Sequence, residues 1–343
     1  RNLLRTLQKR TFDITDPEDV NAFIADLDPV GLNTDLGQEH FFDTFRFNQE
    51  GAFGELVEAM MVLLAELRDE QGDQSVNGAF EFWRQSYANI PSKKNVPKAW
   101  YPYVVPADKN QTQKNINSDL LADFMFSLES GFALLSRLFL AKACDDYGFF
   151  TDDPLRGQLG TLGDHSGEID TAKYPAVVDS VFERLRDELI ESLFEDDLFV
   201  WWTDGYRDII ADSEHAARFG ELSGETDVDP SVKAVRESFS KALGELFFAV
   251  LKFDFSQVDN IDLLGGLYQR YFDAKTRKAL GEFYTPSGVV DLILDRVEYT
   301  DAVSNDRLVD PACGSGTFLT EALQRYLDDI EAQSDDPDWQ AEL

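Results

Sequence analysis

The chain has 343 residues, 43% of them hydrophobic and 28% charged, which is enough apolar content for a core and enough length for two domains. Its 31 basic residues face 65 acidic ones, and the formal net charge of −34 excludes nucleic-acid binding driven by overall basicity. Two cysteines and three histidines are too few for a disulfide-stapled scaffold or a zinc cluster, so no metal is expected and a reducing cytoplasm is the expected location.

The acidity is not a tail. Carboxylates recur along the whole chain among 27 Phe, 11 Tyr and 5 Trp, a composition that folds. This pattern predicts a halophilic protein whose carboxylate surface stays hydrated in concentrated salt, where screening shrinks to about 3 Å. Arg1 opens the sequence with neither a methionine nor an apolar leader, so the chain is expected to start inside a longer protein. No membrane span is expected. The one apolar stretch long enough, 120–143, is interrupted by Asp123, Glu129 and Arg137 and reads as a buried helix.

Taken in chain order, a helical period runs from Ala52 to Leu67, then from Ser118, read as the cap, to about Ala143. A third helix is marked by Phe182, Leu185, Leu189, Leu193 and Phe194, and a fourth by apolar positions from Val232 to Val250. The stretches 87–116, 151–174 and 203–230 read as polar connectors. Short strands are conceivable only at 101–105 and 198–202, so residues 1–260 are expected to form a mainly helical amino-terminal domain for recognition or docking. His40, His165 and His215 stand alone among polar residues and are read as surface or core histidines.

The last quarter carries chemistry. Asn260 can cap a helix with Leu263, Leu264, Leu267, Tyr268, Tyr271 and Phe272. Then comes Gly281-Glu282-Phe283-Tyr284-Thr285-Pro286, in which Thr285 is read as the N-cap and Pro286 as the first residue of a helix with one apolar face. Residues 307–310, Arg-Leu-Val-Asp, read as a buried strand. It runs into Pro311-Ala312-Cys313-Gly314-Ser315-Gly316-Thr317-Phe318 and a further helix. Strand, glycine turn and helix together let a nucleotide-like ligand approach bare backbone amides, with Asp310 as the acceptor for a cationic group. Neither the dinucleotide fingerprint nor the phosphate loop is present: the third glycine position holds Leu319, and Gly-Lys-Ser/Thr is missing.

The paired elements Gly-Glu-Phe-Tyr-Thr-Pro and Asp-Pro-Ala-Cys-Gly-Ser-Gly-Thr-Phe-Leu resemble motif X (281–287) and motif I (308–318) of the N6-adenine DNA methyltransferases of restriction–modification systems, type I modification subunits and type IIG-like members. The stretch 262–271 is similar to the helix before motif X, and 135–148 to an amino-terminal helix of the fused members. The resemblance implies a Rossmann-like α/β methyltransferase domain starting in 261–343 and S-adenosyl-L-methionine as cofactor. It implies cofactor contacts from Glu282, Phe283, Tyr284, Thr285, Pro286, Ser287, Asp310, Pro311, Ala312, Gly314, Ser315, Gly316 and Thr317. It also implies double-stranded DNA as partner, with a specificity or restriction subunit or the remaining carboxy-terminal part.

The catalytic Asn/Asp-Pro-Pro-Tyr/Phe of that family does not occur; Asp336-Pro337 is followed by Asp338-Trp339. No catalytic residue is therefore expected within the chain, which reads as an amino-terminal portion inactive by itself. No Glu/Gln-x-Lys metal-nuclease pattern occurs either. DNA contacts are expected at Lys93, Lys94 and Lys98 beside Trp100, Tyr101 and Tyr103, and at Lys275, Arg277 and Lys278. The competing reading is a non-catalytic helical recognition or docking module with a degenerate methyltransferase lobe.

Overall fold

The computed structural model describes residues 13–48, 51–150, 155, 170–189, 198–207, 230–258, 262–272, 277, 285–300, 303, 307–311, 313 and 316–333. They fall into two compact units, 1–260 and 261–343. The first is mainly helical: α1 (Pro17–Asp26), α2 (Asp35–Thr44), α3 (Ala52–Ala65), α4 (Gln74–Ser86), α5 (Ser118–Asp146), α6 (Tyr174–Arg184) and α7 (Pro230–Leu251). Two short strands, β1 (Val30–Gly31) and β2 (Phe253–Asp254), pair in parallel and tie the amino-terminal part to the end of α7.

Helix α3 is the hub, packed against both α5 and α7. Its Phe53, Leu56, Val57, Met60, Leu63 and Leu64 are all buried, so apolar surface wraps most of its circumference, as expected of a helix enclosed by others. Gly131 of α5 lets that helix approach closely: a Cβ there would lie 3.3 Å from Val57 Cγ2 and 3.4 Å from Phe53 Cε2. Aromatic rings fill the remaining space. Phe41 sits among Phe45, Phe139 and Phe253 with centroids 4.9–5.3 Å away, and Phe126 packs against Phe80, Trp83 and Trp201.

Helix α5 is long and apolar enough to cross a membrane by length and composition, yet two-thirds of that window is buried inside the unit. Its charges have partners there. Arg68 reaches Asp123 at 2.6 Å while lying 4.5 Å from the Phe80 ring centroid, and Trp83 Nε1 donates to Glu129 at 2.6 Å. Burial lowers the Arg137 guanidinium to about 10, with its charge over the Phe182 ring. The fully buried Lys142 pairs with Asp146, which also accepts from the Phe255 amide.

Several sequence expectations are corrected. Residues 101–105 and 198–202 are not strands: Tyr101–Val104 is a helical turn led by Pro102, and Leu198–Tyr206 is a 3₁₀ helix. Both Trp201 and Trp202 are buried. Asn117, not Ser118, caps α5, accepting from the amides of Asp119 and Leu120. The helical periods in the sequence do not include α1, α2 and α4, although each carries a capping side chain: Asp16, Thr34 and Asp73. The third helix starts earlier than its apolar marks suggest, at Tyr174, and Leu193 and Phe194 lie outside the described residues.

The second unit contains α8 (Leu263–Tyr271), α9 (Ser287–Arg296) and α10 (Thr317–Gln333). Asp262 caps α8 by accepting from the Gly265 amide, in place of the expected Asn260, which lies outside the described residues. Residues 307–310 form neither a strand nor a buried segment: Val309 is 83% exposed. A parallel strand is held by strands on either side and helices on its faces, and no strand is present in this unit among the described residues. The apolar face of α9 is also divided. Val290 and Leu294 are buried, whereas Val289, Leu292, Ile293 and Val297 are exposed, as are Leu319 and Leu323 of α10.

Candidate functional site

The site expected from the sequence lies where α9 and α10 begin. Ser287 opens α9 immediately after the Thr285-Pro286 pair, and Thr317 opens α10 immediately after Gly316. The two helices pack together, and a charged seam fixes their direction. Glu321 hydrogen-bonds Asp291. One turn further along α10, Arg325 reaches Asp291 Oδ1 at 3.2 Å, Asp295 Oδ1 at 2.8 Å and the Tyr299 carbonyl at 2.8 Å. Advancing along one helix advances along the other, so the two run parallel. Asp291 is one turn in from Ser287 and Glu321 one turn in from Thr317, so their amino-termini are level and open toward the same side. Two helix starts side by side concentrate unpaired backbone amides and positive dipole ends.

The hydrogen bond to Asp291 raises the Glu321 carboxyl above its ordinary value, with burial adding to it. Burial opposes the Arg325 charge, but hydrogen bonds to Asp295 and Asp291 prevail and raise its pKa. Arg325 thus offsets three carboxylates and caps the carboxyl end of α9. It escaped the sequence reading because its partners lie 26 to 34 residues away; a lone arginine in an acid-rich helix was the only signal.

Gly316 enters α10 with φ of +83°, and a Cβ there would meet nothing within 4 Å, so its bare backbone faces open space. Its carbonyl accepts from the Thr320 amide and hydroxyl at 2.8 and 3.0 Å. Asp310 is half-buried, and its Oδ2 atom is enclosed. Pro311 is exposed, and Thr317 is half-buried.

Thr285 does not cap α9. Pro286 occupies the N-cap with ψ of 143°, so the helix starts one residue later and no side chain caps it; Thr285 is then too far back for its hydroxyl to serve the first-turn amides. Thr285 is half-buried, and Pro286 and Ser287 are exposed. Glu282, Phe283, Tyr284, Ala312, Gly314 and Ser315 lie outside the described residues, as do Lys275 and Lys278.

Of the expected DNA contacts, Arg277 is half-buried and its Nε donates to the Phe272 carbonyl at 3.2 Å. Lys93 donates to the Ile116 carbonyl at 2.5 Å. Trp100 and Tyr103 are 1% and 7% exposed, packed on Phe124, so they do not stack on bases. His40 packs against Phe253, and burial lowers its pKa. Among the described residues no group of His, Cys, Asp or Glu is placed to hold a metal ion.

Residues 259–337 match the model of the N-6 DNA Methylase family. This segment is similar to N-6 DNA methylases. Curated relatives carry related names. The chain is 38% identical over 112 residues to the type I restriction enzyme MjaVII methylase subunit of Methanocaldococcus jannaschii, covering 32% of this chain and 18% of that protein. It is 30% identical over 125 residues to the type I restriction enzyme EcoEI methylase subunit of Escherichia coli, covering 34% and 25%. The MjaVIII methylase subunit of M. jannaschii is 44% identical over 71 residues, covering 20% and 11%. The matched stretches span a quarter or less of these relatives. No solved structure matches the chain.

Proposed function

We propose that this chain is an amino-terminal portion of a type I-like modification subunit, an S-adenosyl-L-methionine-dependent N6-adenine DNA methyltransferase, and that residues 261–343 supply its cofactor-binding start. The observation that carries the reading is the match of residues 259–337 to the N-6 DNA methylases, centred on motifs X and I. The residues suit the cofactor. Asp310 offers a carboxylate to an ammonium group, and the paired helix starts offer backbone amides to a carboxylate. In this reading Glu282, Phe283, Tyr284, Thr285, Pro286 and Ser287 form the motif X side of the pocket, and Asp310, Pro311, Ala312, Gly314, Ser315, Gly316 and Thr317 the motif I side. When bound, S-adenosyl-L-methionine supplies an electrophilic methyl group; the chain's residues bind and orient it and exclude water.

The exposed Val289, Leu292, Ile293, Val309, Leu319 and Leu323 support a Rossmann-like domain in which further strands extend from residues 307–310 and cover these helices. The adenine pocket and the catalytic tetrapeptide belong to that continuation. Residues 1–260 act as the recognition or docking domain, with DNA and a specificity or restriction subunit as partners. The test is methyl transfer by the full-length protein, read by mass spectrometry as N6-methyladenine in duplex DNA. The proposal expects N6-methyladenine from the wild type and none from Asp310→Ala; methylation of cytosine only, or undiminished transfer by Asp310→Ala, would contradict it.

A further inference from the structure

The connector between α4 and α5 inverts the charge of the protein. Residues 87–117 contain five lysines and a single carboxylate, Asp108, in a chain with 65 acidic residues against 31 basic ones. The stretch is built rather than loose. Lys93 Nζ bonds the Ile116 carbonyl, the Asn117 amide bonds the Val104 carbonyl at 2.9 Å, and Asn115 Nδ2 bonds the Asn110 carbonyl at 2.9 Å. Trp100 and Tyr103 anchor it from below on Phe124 of α5. These ties bring the turns Lys93–Asn95 and Gln113–Asn115 together and set Lys109 close to Lys114 in the chain path. Lys94, Lys98, Lys109 and Lys114 are all exposed on the result, with Gln111, Thr112 and Gln113 as uncharged donors among them.

We propose that Lys94, Lys98, Lys109 and Lys114 form a docking surface for the phosphate backbone of duplex DNA, with Lys93 as its internal brace. The choice of DNA rests on the methylase reading above. Because the Trp100 and Tyr103 rings are turned into the core, the surface between them and solvent offers chiefly positive charge and amide donors. It therefore positions the duplex and does not read its sequence. In so acidic a protein an anionic duplex is repelled from most of the surface, and this platform sets where it lands.

The test is fluorescence anisotropy of the full-length protein on two duplexes of unrelated sequence, across a salt range in which circular dichroism shows it folded. Each lost phosphate contact reduces the slope of log affinity against log salt by about 0.9. Replacing all four lysines by Gln should therefore flatten the slope by about 3–4 and weaken both duplexes by the same factor. Their replacement by Arg should retain the slope. Should the quadruple Gln variant misfold, the pairs Lys94/Lys98 and Lys109/Lys114 should each flatten it by about 2. An unchanged slope, weakening of one duplex only, or no duplex binding by the wild type overturns the surface. Cofactor uptake on the same samples reports on the methylase reading separately.

Discussion

Glu245 of α7 shows how crowding among carboxylates acts on one residue. It lines a cavity of about 290 Å³ between α3 and α7, with Glu55, Glu58 and Lys241. Burial, then a hydrogen bond to Glu55 and the Glu55 charge, push the Glu245 carboxyl up to about 7. A raised carboxyl pKa means the folded state holds the proton more tightly than the unfolded chain. Its stabilising contribution is complete below about pH 4.5 and is lost as pH rises through about 7. Glu245→Gln keeps the hydrogen bond without the charge. It should raise the melting temperature at pH 8 by ~2–4 °C, about 1 kcal/mol after screening by solvent, and leave it unchanged at pH 4. An equal shift at both pH values would contradict this account.

Among elements, the α9–α10 pair carries the argument, and its parts differ in how far the sequence revealed them. The glycine turn into α10 is legible, because Gly316 at φ of +83° is a backbone need that only one residue type meets easily. The end of α9 is not. Glu298 takes φ of +63°, and the amides of Glu298 and Tyr299 bond back to the Asp295 and Leu294 carbonyls. This closing turn normally selects glycine. Glu298→Gly should therefore stabilise the second unit by about 1 kcal/mol in chemical denaturation; a loss of stability would show that the Glu298 side chain contributes more than its strain.

Caps are misread by one or two residues for a related reason. Asn117 and Ser118, or Asn260 and Asp262, are equally competent chemically, and the backbone turn decides between them. Arg325 was invisible because its partners are tertiary. Arg325→Ala leaves Asp291, Asp295 and Glu321 facing one another and the Tyr299 carbonyl uncapped. It should cost about 1–2 kcal/mol and speed hydrogen exchange in α9. Exchange unchanged in α9 would remove Arg325 as the clasp.

For the whole molecule, helical periods gave the principal helices of the first unit, since burial follows the 3.6-residue repeat directly. Residues 307–310 failed as a buried strand because a strand depends on neighbours that local sequence does not contain. The surplus of carboxylates predicts strong salt dependence. Thermal melts from 0.2 to 3 M KCl should climb steadily as repulsion is screened. A flat profile would show that the acidic surface exacts no electrostatic cost.

The central claim is a cofactor pocket at the level starts of two parallel helices, and calorimetry of S-adenosyl-L-methionine binding to the protein in high salt tests it most directly. The account predicts saturable one-to-one binding that Asp310→Ala abolishes while the melting temperature of the free protein holds. Absence of binding by the wild type, or undiminished affinity in Asp310→Ala, would contradict it.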